Sequence, residues 1–216
     1  MVELYYDLDV RWMLIAYNKN NALGGGCQDD DQGLTEFGRR VVREMERVGM
    51  VVCCSHTGYR TTMELMELAT NPVIFSHSNP FGVKEHPRNI SDEVIRACAE
   101  TGGVIGINGI GDFLDEDDDR TETIVKHIGY VVQLVGPQHV GIGIDYVFDK
   151  QELDDYIKAN PETFPPELGY YLGRKMVRPE QIPEIAESLI RMGYSDEDLQ
   201  LIVRQNHLRI AKQIWK

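Results

Sequence analysis

Four polar side chains whose types suit metal chemistry follow short apolar runs of the sequence. They are His56, His77, Asn108 and Asp145, and each lies at or just past the end of a run that we predict to be a β-strand. The carboxyl ends of parallel strands meet on one face of an α/β fold, where active sites are built. Imidazole and carboxylate groups that converge there favour a divalent metal, with zinc as the leading candidate.

Two histidines alone do not complete a catalytic zinc site, which takes three protein ligands. We therefore predict Asp145 either as the third ligand or as a general base that acts on a water molecule. A lone His after a strand is more often structural, but two at equivalent positions of successive units favour a site. Asn108 alone can equally cap a loop. The remaining histidines lie in loops or on helices and are interpreted as structural or surface residues: His86, His127, His139 and His207.

Arg88 lies in the loop after the predicted third strand, where a guanidinium can grip a substrate carboxylate with two hydrogen bonds. Its position is equally compatible with an ordinary salt bridge. Two acidic runs, 29–31 and 115–119, lack the spaced ligands and the closing Glu of an EF-hand loop. We interpret both runs as solvated loops.

Short apolar runs alternate with segments of helical period, which predicts five strands that are each followed by a helix. The runs are residues 12–17, 50–54, 73–76, 103–108 and 140–144. Thr35 and Ser91 are predicted N-caps, and Gly49 is predicted to end the first of these helices. Strands buried on both faces imply parallel pairing. Two architectures fit, an open doubly wound sheet and part of a (β/α)8 barrel; the absence of a G-x-G-x-x-G motif after the first strand weakens a dinucleotide site.

The composition is typical of one ordinary globular domain, which we place at residues 1–216, and 42% of the residues are apolar. A net charge of −13 without a cluster of Lys and Arg argues against a nucleic-acid partner. No run approaches the length of a membrane span, and no signal peptide opens the chain. We expect a cytoplasmic protein, unless a signal peptide was lost with an earlier segment. The four cysteines form no C-x-x-C pair and are predicted to be reduced core residues.

Five motifs follow one another along the chain: Gly33-Leu34-Thr35-Glu36-Phe37-Gly38, Ser55-His56-Thr57, Val73-Ile74-Phe75-Ser76-His77-Ser78, Arg88-Asn89 and Gly141-Ile142-Gly143-Ile144-Asp145. In their order and spacing they resemble the membrane (renal) dipeptidase family of zinc metallopeptidases. The resemblance covers nearly the whole chain, and the combination of two His motifs with the Arg-Asn and Asp motifs is specific.

The resemblance implies a metallo-dependent hydrolase on a (β/α)8 barrel, with a two-zinc centre that cleaves dipeptides and often tolerates a C-terminal D-residue. It assigns His56 and His77 to one zinc, and it places Asp145 beside the metal centre, where it handles the proton of the attacking water. It assigns Arg88 to the substrate carboxylate. Tyr17 stands where some members have a substrate-contacting His, and Asn108 lines the pocket wall. The resemblance also implies a homodimer.

The family's N-terminal His-x-Asp pair and bridging Glu have no counterpart here. We expect them on earlier strands upstream of Met1, so that this chain would be the last five β/α units plus the C-terminal helices, with one zinc site incomplete. Cys53 and Val147 also replace acids common in the family. The leading prediction is a zinc-dependent dipeptidase, present as a truncated chain whose own activity is an open question. The alternatives are a non-catalytic half-barrel that binds a partner or a single metal, and a single-metal amidohydrolase acting on another amide.

Overall fold

A computed structural model describes all 216 residues and contains one sheet of five parallel strands. The strands are β1 (Trp12–Leu14), β2 (Val51–Cys53), β3 (Ile74–Phe75), β4 (Val104–Ile107) and β5 (Val140–Ile142). Their order in the sheet is their order along the chain, and each pairs in parallel with the next. A doubly wound sheet reverses its strand order at a switch point, whereas consecutive order is the arrangement of barrel units. The predicted α/β class with five successive β/α units is therefore confirmed.

Helices separate the strands and continue after the last of them. They are α1 (Val2–Asp7), α2 (Glu36–Val48), α3 (Tyr59–Leu68), α4 (Asp92–Glu100), α5 (Gly111–Leu114), α6 (Thr121–Val135), α7 (Lys150–Ala159), α8 (Ile182–Arg191), α9 (Asp196–Gln200) and α10 (Asn206–Ile214). Short 3-10 turns lie at Pro137–His139, Pro166–Leu168 and Pro179–Gln181, and a π-helical turn at Leu201–Gln205 joins α9 to α10. None of the helices is both long and apolar enough to cross a membrane.

The predicted helix ends of α2 and α4 are confirmed. Thr35 Oγ1 accepts a hydrogen bond from the backbone N–H of Gly38, and Ser91 caps α4 in the same way through the N–H of Val94. Gly49 ends α2 with a φ of 92°, the left-handed conformation that glycine adopts without a steric cost.

The strands are shorter than the apolar runs that predict them. The run 12–17 forms a strand only over Trp12–Leu14, and the run 140–144 only over Val140–Ile142. The residues just past three strands have left-handed backbone, with φ of 61° at Asn18, 67° at His56 and 56° at Asp145. The chain therefore leaves the hydrogen-bond ladder early and turns polar side chains toward the pocket described below.

Both faces of the sheet are buried, which explains the continuous apolar runs. One face packs against the helices α2, α3, α4 and α6 in a cluster of 28 buried residues. The opposite face presents a second row of apolar side chains, and Ile210 and Ile214 of α10 cover it. Cys53 and Cys54 belong to opposite faces, and both are buried free thiols, as is Cys98, which confirms the prediction for these three. Cys27 is also free but only partly buried, so its prediction as a core residue is wrong.

A third apolar cluster forms over the carboxyl ends of the strands. It joins Ile110 and Phe113, which follow β4, to Ile157, Phe164, Tyr170 and Met176. The last four lie in residues 149–176, which we call the cap segment and which include α7. Sequence periodicity does not predict this cluster, because the aromatic residues of this segment are too widely spaced to form a periodic pattern.

The interpretation of the run 29–31 as a solvated loop is wrong for Asp31. Its carboxylate accepts hydrogen bonds from the backbone N–H and the hydroxyl of Thr61, at 2.8 and 2.5 Å. A Cβ at Gly25 or Gly58 would collide with this side chain, so both glycines make room for it. The carboxylates of the second acidic run also have partners: Asp118 accepts from Arg120 and Thr123, and Asp117 from the backbone N–H of Lys175.

Candidate metal and substrate site

The four residues predicted from strand ends lie together at the carboxyl end of the sheet. His56 Nε2 and His77 Nε2 are 2.8 Å apart. The Asp145 carboxylate approaches His77 Nε2 to 4.0 Å, and Asn108 Nδ2 donates to that carboxylate at 3.3 Å. The two imidazole nitrogens therefore face each other, and the Asp145 carboxylate, which Asn108 orients, lies beside His77.

His56 is a neutral imidazole that contacts Asn18, Tyr17, His77 and Arg88. Its Nδ1 lies 2.8 Å from Asn18 Oδ1, and its ring stacks on that of Tyr17 with centroids 4.1 Å apart. Burial lowers the pKa of His56 well below its ordinary value, and the neighbouring Arg88 charge and His77 lower it further. The ring is therefore uncharged at neutral pH, and Nε2 faces the pocket.

His77 is held by a chain of neutral side chains. Ser76 Oγ lies 2.7 Å from His77 Nδ1, and the Cys53 thiol donates to Ser76 Oγ at 3.1 Å. Burial lowers the pKa of His77 to about 4, against the opposing effect of the Asp145 carboxylate. Since two lone pairs cannot face each other at 2.8 Å, one of the two Nε2 atoms carries a proton when no metal lies between them.

Arg88 is a buried cation whose guanidinium has no ion-pair partner in this chain, because none of the ion pairs involves it. Only 3% of the residue is exposed. Its Nη2 lies 3.3 Å from His56 Nε2, and its guanidinium stacks over the Phe113 ring at 5.3 Å. His86 Nδ1 accepts the backbone N–H of Arg88, and its Nε2 donates to Leu168 O in the cap segment. The predicted clamp residue is therefore rigidly placed beside the histidine pair.

A cavity of about 350 Å³ adjoins His56 and Arg88. Its lining is mixed: Phe81, Ile90 and Val94 contribute apolar surface, and Asp29 and Asp31 contribute carboxylates. A cavity that has Arg88 and apolar side chains in its lining can receive a small molecule that carries a carboxylate and a side chain.

The sequence itself was compared with known proteins. A profile of the family described as membrane dipeptidase (Peptidase family M19) matches residues 1–160. The chain belongs to the membrane dipeptidase family. An uncharacterized dipeptidase of Schizosaccharomyces pombe is 32% identical over 214 residues, which are 96% of this chain and 47% of that protein. A second one from the same yeast is 30% identical and is covered to 48%. The chain thus spans about half the length of these curated relatives.

Solved structures share the fold of this chain. An amidohydrolase from Pseudomonas aeruginosa is 30% identical and superimposes with a TM-score of 0.85, over 99% of this chain and 67% of that chain. A metallo peptidase from Rhodobacter sphaeroides, liganded with a phosphinate mimic of the dipeptide L-Ala-D-Ala, has 21% identity and a TM-score of 0.78, over 99% of this chain and 58% of its own. At that identity the second likeness concerns the fold alone.

Membership of a metallopeptidase family implies a metal, and the donors present fit part of its coordination. Two neutral imidazoles with converging Nε2 atoms suit two ligand positions of zinc or a similar divalent ion. His77 can carry its proton on Nδ1 instead of Nε2, because Ser76 Oγ is able to accept it. No group of three or more His, Cys, Asp or Glu side chains in this structure is arranged to hold a metal ion. The role of Asp145 as a third ligand stays a prediction.

Several residues of the candidate site are not predicted by the sequence pattern. Asn18, Ser76 and His86 each orient a predicted site residue, and Gln28 and Tyr170 join the site to the cap segment. Two of these residues could have been found from their position in the sequence. Ser76 directly precedes His77, and His86 lies two residues before Arg88. Asn18 follows Tyr17, but nothing in its local pattern indicates that it contacts a residue 38 positions away.

Proposed function

We propose that this chain carries the histidine pair and the carboxylate-binding residue of a metal-dependent dipeptidase. The supporting observation is the buried, unpaired guanidinium of Arg88 beside two neutral imidazoles. A buried charge without a counter-ion is costly. A substrate carboxylate would provide the counter-ion, with the planar fork of donors that Arg offers to such a group. Family membership supports a peptide substrate for this arrangement.

In this arrangement the C-terminal carboxylate of a dipeptide binds Arg88. The side chain of the dipeptide's C-terminal residue then occupies the 350 Å³ cavity. Tyr17 stacks on His56 and is 46% exposed as a residue, so its uncovered surface is available to the N-terminal part of the substrate. A dipeptide has both termini close to its only peptide bond. Fixing the carboxylate therefore also fixes the bond relative to the histidine pair, which lies 3.3 Å from Arg88.

His56 and His77 would hold the divalent ion, with zinc proposed because both donors are imidazole nitrogens. A bound zinc ion acts as a Lewis acid that polarises a carbonyl group. Asp145, oriented by Asn108, is assigned the proton of the attacking water, which it passes to the leaving amine. Each of these chain residues already lies at the carboxyl end of the sheet without rearrangement of the fold.

The experiment compares the binding of L-Ala-D-Ala and of its C-terminal amide to the zinc-supplemented protein by titration calorimetry. We expect the free acid to bind at least about tenfold more tightly, because a hydrogen bond to a charged group contributes roughly 1.5–3 kcal/mol. In Arg88→Met this preference should disappear, while Arg60→Met, which changes an exposed arginine on α3, should retain it. Equal binding of acid and amide to the unchanged protein would contradict the proposal. Release of D-Ala from the same solutions tests hydrolysis.

A further inference from the structure

Asn18 is a fully buried amide that contacts three parts of the site at once. It follows β1 with a left-handed φ of 61°, a conformation that Asn tolerates better than most residues. A Cβ at Gly26 would lie 2.2 Å from the Asn18 carbonyl group, so the neighbouring loop passes against this backbone as closely as glycine allows. The position of the amide is therefore fixed by the chain on both sides.

The orientation of this amide follows from its partners. Asn18 Nδ2 lies 3.4 Å from the carbonyl oxygen of Thr163 in the cap segment, and Asn18 Oδ1 lies 2.8 Å from His56 Nδ1. A carbonyl oxygen can only accept a hydrogen bond, so the NH₂ group must face Thr163 and the oxygen must face His56. The Cys27 thiol also donates to Oδ1, at 3.6 Å, which is consistent with the same orientation.

This orientation decides the tautomer of His56. Because Asn18 Oδ1 cannot donate, His56 Nδ1 must carry the proton, and in a neutral imidazole Nε2 then has the free lone pair. The two groups beside Nε2 are Arg88 Nη2, which can only donate, and His77 Nε2, which can donate. The whole hydrogen-bond pattern is therefore consistent with a lone pair on His56 Nε2.

We propose that Asn18 is a positioning residue that fixes the Nδ1–H tautomer of His56 and ties this histidine to the cap segment through Thr163. This role rests on the proposed function, in which His56 binds a metal ion. A metal ligand requires a free lone pair, and Asn18 places that lone pair on Nε2. Side chains that hold the second nitrogen of a ligating histidine typically affect metal affinity by 10–100-fold. Asn18 also joins β1 to residues 145 positions further along the chain, so ordering of the cap segment and alignment of His56 are linked.

The test uses two variants that the backbone at this position tolerates and one matched control. Asn18→Gly removes the amide without straining the left-handed conformation. Asn18→Asp keeps an acceptor for His56 Nδ1 but loses the donor to Thr163. Gln28→Leu is the matched control. Gln28 is the other side chain that donates to Thr163 O, at 3.2 Å, and it makes no hydrogen bond to His56.

The first readout is the imidazole ¹⁵N spectrum of the metal-free protein, which reports the tautomer of His56. We expect the Nδ1–H form in the unchanged protein, in Asn18→Asp and in Gln28→Leu, and its loss in Asn18→Gly. The second readout is zinc affinity by chelator competition, which we expect to fall about 10–100-fold in Asn18→Gly and to recover in Asn18→Asp. Circular dichroism identifies any variant that fails to fold.

An Nε2–H tautomer of His56 in the unchanged protein would overturn the proposal, and so would unchanged zinc affinity in folded Asn18→Gly. Because the tautomer is measured without metal or substrate, its outcome does not depend on hydrolysis. A correct tautomer in a protein that shows no carboxylate preference would count against the proposed function alone.

Discussion

At the scale of single residues, the Nδ1 atoms of the histidine pair are both held by neutral groups. The Nδ1 atom of His56 meets an amide oxygen, and the Nδ1 atom of His77 meets a hydroxyl that a thiol in turn supports. A carboxylate in these places would raise the basicity of the rings. Neutral partners and burial together keep both imidazoles uncharged, and an uncharged imidazole is the form that binds a metal.

His127, on α6, gives a residue-scale prediction that is independent of the site. It is fully buried, its Nε2 donates to Leu114 O at 2.7 Å, and its Nδ1 has no partner. Burial lowers its pKa from 6.5 to about 4. The unfolded chain therefore binds more protons than the folded one between these values. The stability that the neutral ring contributes is complete above pH 6.5 and is lost as the pH falls toward 4.

Between pH 7 and pH 4.5, the free energy of unfolding of the unchanged protein should fall. We expect this fall to be about 2 kcal/mol larger than the fall in His127→Gln, as the pKa difference implies. Glutamine keeps an N–H donor for Leu114 O but does not titrate. Urea unfolding of both proteins at the two pH values measures the difference. Parallel pH dependences would show that His127 is not held neutral.

How well the sequence predicts single residues depends on how far away their partners lie. His56, His77, Asn108 and Asp145 are identified because each follows a strand, and a parallel sheet must bring strand ends together. The orienting contacts of Asn18 and Asp31 connect separate loops and leave no periodic signal. The sequence therefore predicts which groups do the chemistry better than it predicts what holds them.

At the scale of elements, α3 depends on a loop that lies far from it in sequence. Its N-cap residue, Gly58, has no side chain to accept a hydrogen bond, and Asp31 takes that role from the β1–α2 loop. Because α3 begins three residues after His56, this cap also restrains the loop that carries the histidine. A carboxylate at a helix N-terminus gains further from the helix dipole.

Replacing Asp31 by Ala should lower the free energy of unfolding by about 1–2 kcal/mol, the usual cost of losing an N-cap acceptor. Its neighbour Asp30 is exposed and hydrogen-bonds only within its own loop, so Asp30→Ala should change stability by less than about 0.5 kcal/mol. Chemical denaturation of the two variants compares them directly. Similar losses would mean that the acidic run acts as a whole rather than through one cap.

At the scale of the whole molecule, one face of the sheet is covered by helices close to its strands along the chain, and the other face by a helix far from them. The helices that cover the first face each lie next to the strands they pack on, and their apolar periodicity predicts this layer. The second face is covered by α10, at the far end of the chain. Asn206 and Arg209 of α10 reinforce this packing, since they donate to the carbonyl oxygens of Val140 and Gly102. Strand composition predicts that something buries this face, but it does not identify the element.

The packing of α10 yields a prediction about the stability of the entire fold. Ile210 is 1% exposed and contacts the sheet face together with Val51, Ile74 and Val104, whereas Leu208 on the same helix is 42% exposed. Ile210→Ala leaves a cavity in a closed apolar cluster and should cost about 2–5 kcal/mol. Leu208→Ala also replaces an aliphatic side chain of α10 by the best helix former, but with little burial, and should stay within about 1 kcal/mol of the unchanged protein. If α10 is a core element, urea unfolding should remain one cooperative transition with a lower midpoint in Ile210→Ala. A separate early transition, or equal midpoints for the two variants, would mean instead that α10 detaches from a sheet that is stable without it.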